Sequence, residues 1–365
     1  MIRLATYNLE NLFTRPSAMN RADDDEGRQA IEDHAEANRI IDQEIYGTEE
    51  KRQLIELSEK YGWHLLKPPE EALVKLQKIR GQLFRKPEDG QLEVVASGRT
   101  AWIGWFELQR EDIAWTATYN TGHVIKETGA DILITIEVED RPTLSRFNQQ
   151  VLRAQLECEY PHFMVIDGND ERGIDVGILS RYPIVEIRSH VDDPLPDGRS
   201  VFSRDCPEFD IMLPGDRRIV IIPNHFKSKR NGNNQTSRDH RRAQAKRAHE
   251  IASATLHRSA LLLIGGDLND TPDSWPLAPL FADGFEDVIR HPNYPQDRPG
   301  TYQTGLASQK LDYLIMAPAL RLRLRNTGIE RRGSYHPRTW EPFDTVQSTE
   351  DEASDHHLVW ADFDL

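Results

Sequence analysis

The sequence predicts an α/β protein with a helical insertion after its first strand, and three observations carry this. Beyond Tyr119, short runs dense in Val, Ile and Leu recur between turn-rich segments, as strands buried on both faces do. A helix from about Ser237 to His257 fits between two of these runs. The stretch from about Asn20 to Tyr119 is instead charged and helical in period, and residues 20–119 are too many for an ordinary loop.

The elements follow in order. Ile2–Leu9 reads as a strand that ends near Asn8. Within the insertion, Glu49–Lys60 is one candidate helix. Pro69–Phe84 is another, because Leu73, Leu76, Ile79 and Leu83 recur at spacings of three and four, and Pro68 and Pro69 suit a helix start. Gly98–Leu108 follows, with Trp102 and Trp105. The later strands are Asp131–Val138, His162–Asp167, Val176–Ser180, Arg218–Phe226, Leu261–Asp267, Leu311–Ala317 and His357–Asp364. Thr236 or Ser237 can cap the long helix, with Asp239 in its first turn, and Asp192–Arg199 reads as a surface loop.

Composition bounds the class of molecule. The chain is 38% hydrophobic and 29% charged, the balance of a globular cytosolic protein. No run approaches the roughly 18 apolar residues of a membrane span, so no membrane partner is expected. Neither a basic leader nor an apolar signal core precedes the first strand, so no signal peptide is expected. Cys158 and Cys206 are too few for a disulfide framework and lack metal-ligand spacing; the simplest reading is two reduced thiols in the cytoplasm. The net charge of -15 argues against a protein coated in nucleic acid, though an enzyme needs only a local basic track.

Polar residues recur where the strands stop. Asn8 ends the first, Glu137 the second, His225 ends Arg218–Phe226, Asp267 with Asn269 ends Leu261–Asp267, and Asp355 and His356 open the last. Ligands gather at strand ends in open α/β sheets. Oxygens of Glu, Asp and Asn suit a hard cation such as Mg²⁺, which can stabilise phosphoryl charge and activate water. Each residue alone has a plainer reading: a loop carboxylate, a helix cap, or, for His225, a satisfied structural histidine. Asp267-Leu-Asn269-Asp270 after Gly265 and Gly266 is the sharpest signal, since two glycines permit close backbone approach.

As an ordered set these segments resemble the endonuclease/exonuclease/phosphatase superfamily. Ala5-Thr-Tyr-Asn8-Leu-Glu-Asn is similar to its opening motif and Ile136-Glu137-Val138 to its metal-binding glutamate motif. Gly177-Ile-Leu-Ser-Arg181, Asn224-His225, Gly266-Asp267-Leu-Asn269, Leu311-Asp312-Tyr and Ser354-Asp355-His356 resemble the rest, in order. Ile136 stands where a Gln is common in the family. The resemblance covers residues 1–15 and about 120–365. It implies a four-layer α/β sandwich, two mixed β-sheets flanked by helices, forming one domain over residues 1–365 with residues 20–119 as a helical cap. It also implies roles. Glu137 would hold Mg²⁺ or Mn²⁺, helped by Asn8 and Asp355. Asp267 would orient or deprotonate water beside Asn269. His356, oriented by Asp312, would contact the scissile phosphate. His225 would donate to a phosphate or leaving oxygen. Ser203-Arg204-Asp205 looks like a segment of pancreatic-type deoxyribonucleases in which Arg204 would bind phosphate; the plainer reading is a surface arginine paired with Asp205 or Asp210.

After His225 the charge inverts: Lys227, Lys229, Arg230, Arg238, Arg241, Arg242, Lys246 and Arg247 face only Asp239. Arg238, Arg242 and Lys246 lie four apart, a stripe on one helix face. The stripe is either a solvated face or a phosphate-backbone track, which with the polar loop Asn231–Gln235 points to a nucleic-acid substrate. Trp102, Trp105 or Trp115 could stack on bases, or be core. The expected activity is metal-dependent hydrolysis of phosphodiesters in DNA or RNA. A phosphatase or phosphodiesterase for a small or lipid-linked ester is the alternative, and an inactive binding module a more distant one.

Overall fold

The structure is a computed structural model that describes residues 1–12, 24–69, 71–87, 90–109, 115–170, 173–229, 234–294 and 297–365. The sequence readings at Asn20–Asp23, at Arg230 and at Asn231–Asn233 lie outside these residues. The chain divides into two compact units, Met1–Phe13 with Ile113–Leu365, and Thr14–Asp112. In chain order the large unit begins with β1 (Ile2–Leu12).

The smaller unit follows. It holds α1 (Asp24–Ile41), α2 (Thr48–Tyr61), β2 (Val74–Arg80), β3 (Phe84–Arg85), β4 (Glu93–Val94) and β5 (Ile103–Leu108), with β2 paired to β5 and β3 to β4, both antiparallel. The candidate helix Glu49–Lys60 lies within α2, which ends at Gly62 in the left-handed conformation. The expected helix over Pro69–Phe84 is instead strand β2 and the turn beyond it. Two facts explain the correction. Gly81, at φ +80°, packs so closely that a Cβ there would sit 2.8 Å from Trp102 Cα. A strand partner, β5, is also available further along the chain, and pairing overrides local periodicity. Ile79, a member of the predicted apolar stripe, is exposed, while Leu73 and Leu83 are buried in a core with Ile40, Leu54 and Phe106. Trp102 belongs to this core and donates its indole N–H to Tyr46 Oη at 2.9 Å, so it is not a stacking surface. Asn38 on α1 closes one edge of β5. Its Oδ1 accepts from Phe106 N and its Nδ2 donates to Phe106 O, both at 3.0 Å, as a neighbouring strand would.

The large unit resumes with α3 (Trp115–Thr128), β6 (Ile132–Val138), α4 (Arg141–Phe147), α5 (Ala154–Leu156), β7 (His162–Ile166), β8 (Asp175–Ser180), β9 (Ile184–Arg188), β10 (Glu208–Leu213) and β11 (Arg217–His225). It continues with α6 (Gln235–Thr255), β12 (Leu262–Asp267), β13 (Glu286–Asp287), β14 (Asp312–Met316), α7 (Pro318–Arg321), β15 (Leu324–Glu330) and β16 (Leu358–Phe363). Two six-stranded mixed sheets result, in the orders β15-β16-β1-β6-β8-β7 and β13-β14-β12-β11-β10-β9. Each contains one parallel pair, β1 with β6 and β11 with β12. The cap of α6 is Asn234, whose side chain accepts from Ser237 N at 2.9 Å, rather than Thr236 or Ser237.

Strand alternation sorts the apolar residues into layers. Ile132, Ile134 and Ile136 meet Ile219, Ile221 and Leu263 between the sheets. Leu133 and Leu179 face a layer with α3 and α4, while Val220, Ile222 and Leu262 pack under α6. Both faces of the inner strands are therefore covered, which is why they read as unbroken apolar runs. The architecture is the expected four-layer sandwich. Among the described residues no helix is long and apolar enough to cross a membrane.

Candidate active site

The inner-face positions change character along each strand. On β1 they run Ile2, Leu4, Thr6, Asn8; on β11 Ile219, Ile221, Pro223, His225; on β12 Leu263, Gly265, Asp267; on β14, read backwards, Met316, Leu314, Asp312. The apolar fill between the sheets thus gives way at one end to polar side chains that remain buried: Asn8, His225, Asp267 and Asp312. Strand register aligns three of them, since His225 is level with Asp267 across β11 and β12, and Asp267 with Asp312 across β12 and β14.

Backbone irregularity brings in the others. Glu137 would by alternation face the helix layer. It sits at a register shift between β6 and β8 with φ +61°, and this bulge redirects its carboxylate inward. Asn269 also lies in the left-handed region, at φ +53°. Such residues cost on the order of 1–3 kcal/mol each and persist where the surroundings over-determine them. Gly266, at φ +130°, leaves no room for a side chain: a Cβ would lie 2.0 Å from Asn224 O. A Cβ on Gly265 would meet Ile134 Cδ1 at 2.5 Å. Both glycines serve the close approach their sequence suggested.

The geometry is compact. Asn8 Nδ2 donates to Glu137 Oε1 and Asp267 Oδ2, each at 3.3 Å. Asn269 donates to Asp267 twice, from its backbone N at 2.9 Å and from Nδ2 at 3.1 Å. His225 Nε2 stands 3.8 Å from Glu137 Oε1 and 3.7 Å from Asp267 Oδ2. His356 Nδ1 is 2.8 Å from Asp312 Oδ2, while its Nε2 faces Asp267 Oδ2 at 3.9 Å. Asp355 is half-buried at the rim, its Oδ1 4.0 Å from His356 Nε2.

Burial sets the electrostatics. It pushes the Asp267 carboxyl up to about 7, His356 opposing the rise and the charges of Asp312 and Glu137 adding to it. Burial pulls His356 down, but the charge and hydrogen bond of Asp312, with Asp267 and Asp355, more than reverse this and leave it well above its ordinary 6.5. The site therefore pairs a carboxylate reluctant to ionise with a histidine held as a cation.

The donor set fits a divalent cation. Carboxylate oxygens of Asp267 and Asp312 lie within 4.8 Å of each other, with the cationic His356 beside them, and the second oxygen of buried Asp312 has no hydrogen-bond partner among the described residues. Glu137 adds a carboxylate on the other side of Asp267. Carboxylates crowded in a buried place are what a hard cation stabilises.

Other expected residues are placed differently. Arg204 is not a surface arginine paired with Asp205 or Asp210. It is buried with Nε 2.9 Å from Asp170 Oδ2, while Asp205 accepts from His190 N and Cys206 N, and Asp210 pairs with Arg188 and Arg258. Among the basic residues, Arg241 is interior and joins Lys229 on Asp270, at 3.1 and 2.5 Å. Lys227 binds Gln244 through its backbone N. Arg242 stacks over Trp275 at 4.4 Å, Lys246 pairs with Glu250, and Arg238 makes no ion pair among the described residues.

The sequence reading missed the residues that hold these in place. Thr301 is wholly buried; its Oγ1 donates to Asp312 Oδ2 at 2.6 Å and accepts from Leu311 N and Asp312 N. Buried Lys310 holds the same strand end through Asp312 O and pairs with Asp287 at 3.3 Å. Ser354 Oγ donates to Asn8 O at 2.8 Å and accepts from His356 N, joining the two ends of the site. Thr301 and Lys310 stand in no motif, and although Ser354 opens the motif Ser354-Asp355-His356, nothing in the sequence marks its hydroxyl as the link to Asn8. Thr301→Val keeps the shape and removes the hydroxyl. We expect kcat to fall about tenfold with KM little changed, the order seen when a supporting hydrogen bond is lost; steady-state kinetics on a phosphodiester checks this.

The two mixed sheets thus place a buried acid–histidine centre at one set of strand ends. The chain belongs to the endonuclease/exonuclease/phosphatase family, whose model matches residues 117–356. Members hydrolyse phosphoesters, typically with a divalent metal. Several solved structures are similar. Truncated TDP2 of Caenorhabditis elegans is 16% identical, with 68% of this chain and 90% of that chain covered and a TM-score of 0.47. The mannosyl-6-phosphatase of Bacteroides thetaiotaomicron is 14% identical, with 69% and 92% covered and a TM-score of 0.48. The human Nocturnin catalytic domain is 14% identical, with 69% and 88% covered and a TM-score of 0.48. No curated protein matches the chain in sequence.

Proposed function

We propose that this protein is a Mg²⁺- or Mn²⁺-dependent phosphodiesterase acting on nucleic acid. The observation that carries the reading is the convergence of Asn8, Glu137, His225, Asp267 and the Asp312–His356 pair at one end of the inter-sheet layer. Glu137 would hold the cation, with Asn8 aligning it against Asp267. The cation supplies charge stabilisation for a phosphoryl group. Asp267, fixed by both N–H groups of Asn269, orients the attacking water and accepts its proton. His356, kept cationic by Asp312, holds a phosphate oxygen, and His225 donates to the phosphate or the leaving oxygen. Polymer as substrate is supported by the cations that follow His225, above all Arg238 and Arg242 on α6.

The test is one panel: labelled single- and double-stranded DNA, RNA and small phosphodiesters, each with Mg²⁺, Mn²⁺ or EDTA. Cleavage of nucleic acid that EDTA abolishes is the expected result; turnover of the small phosphodiesters alone would move the reading to a phosphodiesterase for small esters. Melting with and without Mg²⁺ tests the cation independently. The folded values of Asp267 and His356 are both raised, so each contributes stability on the acid side that is lost as pH rises, through about 7 for Asp267. Mg²⁺ should offset that loss, adding about 2.7 kcal/mol at a hundred times its Kd. The gain in Tm should be larger at about pH 8 than at about pH 5.5; an equal gain at both would count against a cation at these carboxylates.

A further inference from the structure

Strand β2 carries Lys75, Lys78 and Arg80, β3 ends on Arg85 with Lys86 next, and no acid lies between Ala72 and Pro87, inside a chain of net charge -15. The same unit places Glu32, Glu36, Glu49, Glu50, Glu56 and Glu59 on its two helices. Charge on β2 itself is wholly positive, although Glu107 on β5 stands opposite Lys75 and Glu93 on β4 pairs with Arg85.

The two-stranded sheet is two-faced in the ordinary way. Along β5, Gly104 and Phe106 are buried while Ile103 and Trp105 stay exposed, Trp105 at 43%. Across from Trp105 lies Gln77, and across from Ile103 lies Arg80; Ile79, at the register shift between them, is 67% exposed. Three large apolar side chains therefore stand in water on one short sheet, with Lys75 and Arg80 on the face of Trp105 and Ile103, exposed Lys78 at its margin opposite Gly104, and Glu107 opposite Lys75 as the acid of that face. A core has no use for an exposed tryptophan, and the tryptophans that this core buries are Trp63 and Trp102.

An exposed aromatic set among cations is the chemistry that takes up a single-stranded nucleic acid: bases stack on the ring, and the backbone lies along the positive charge. A duplex hides the base faces, and an apolar protein partner has no need of the excess of cations along β2. We propose that the β2–β5 face of the insertion is a binding platform for single-stranded DNA or RNA, with Trp105 as the stacking residue and Lys75, Lys78 and Arg80 as phosphate contacts. The platform deepens the nucleic-acid reading given above and rests on it for its biological meaning, though its binding can be measured without catalysis. Because the platform and the family core share one chain, a strand held there is presented at raised local concentration to the same molecule.

The experiment uses the full chain in EDTA and follows the anisotropy of fluorescein-labelled oligo-dT and oligo-U, with a hairpin duplex as the third probe. Trp105→Ala should weaken both single strands about tenfold, the order of one lost stack, and leave the duplex unchanged; Trp105→Phe should restore most of the affinity. Changing Lys75, Lys78 and Arg80 together to Ala should flatten the slope of log affinity against log salt by about two units. Turnover of bis-p-nitrophenyl phosphate with Mg²⁺ should be unchanged in all three variants. Unaltered single-strand affinity and salt slope would overturn the proposal, as would equal weakening of duplex, which would point to a protein-docking or merely structural face. A wild-type protein that binds single strands but hydrolyses no phosphodiester would sink the catalytic reading and leave the platform standing.

Discussion

Asp267→Asn should lower kcat by about 10²–10⁴ on any phosphodiester the protein accepts, with KM within a few-fold. The substitution is close to isosteric, so the packing around β12 should survive. What changes is the charge, and with it the capacity to accept a proton. Both N–H groups of Asn269 and the amide of Asn8 now point at carboxylate oxygens of Asp267. An asparagine there turns a donor toward donors, so the water-orienting geometry goes together with the basicity. The check is kcat at saturating Mg²⁺, with a melting curve to confirm folding. A rate within about threefold of wild type would remove Asp267 from the chemistry.

His356→Ala should lower kcat by a similar factor of about 10²–10⁴, and it carries a second signature in the pH profile. Asp312 and the nearby carboxylates hold His356 well above its ordinary 6.5, so the cation persists through neutral pH. Wild-type kcat should therefore rise with pH as Asp267 ionises around 7 and fall again only as His356 loses its proton on the alkaline side. The alanine variant should lose the falling limb and show the rising limb moved to higher pH, since the His356 charge that opposes the rise of Asp267 is gone. Asp312→Asn should do something different: it leaves the imidazole in place but lets its proton go sooner, so the falling limb moves toward neutral pH. If both variants keep the wild-type profile, His356 is not the group that meets the phosphate.

How much of this was legible in the sequence depends on where each residue sits. The inner strands announced themselves because burial on both faces requires unbroken Val, Ile and Leu, and a polar residue closing such a run stands out. Asn8, His225 and Asp267 are of that kind, whereas Asp312, which opens its strand, was marked only by the family-like motif Leu311-Asp312-Tyr. Strands β9, β10 and β15 were not foreseen. β10 opens with Glu208 and Asp210, which look like loop residues until Arg258 is seen to pair with both. β15 lies at a sheet edge and reads Leu-Arg-Asn-Thr-Gly-Ile-Glu, too polar to stand out. The apolar spacing of Leu73, Leu76, Ile79 and Leu83 matched a helix, yet a partner strand some thirty residues away decided otherwise, and single-segment periodicity contains no information about partners. Arg241 shows the same limit at the level of one side chain: counted along the helix it joins a basic run, whereas in the fold it is interior, against Asp270. Thr301 and Ser354 act through hydrogen bonds between distant loops, and only the assembled chain reveals them.

The position of β1 has a consequence for biosynthesis. It is not an edge strand: it lies between β6 and β16, and Ser354 binds the backbone of Asn8 from 346 positions away. A ribosome therefore releases Asn8 early and His356 late, and in the interval β1 has only one of its two neighbours to pair with. Partial chains that stop before β16 lack a complete centre and expose an unpaired apolar strand edge, the feature that holdase chaperones and aggregation both act on. The centre can assemble only once His356 and β16 have been made, so partial chains lack the arrangement on which the proposed hydrolysis depends.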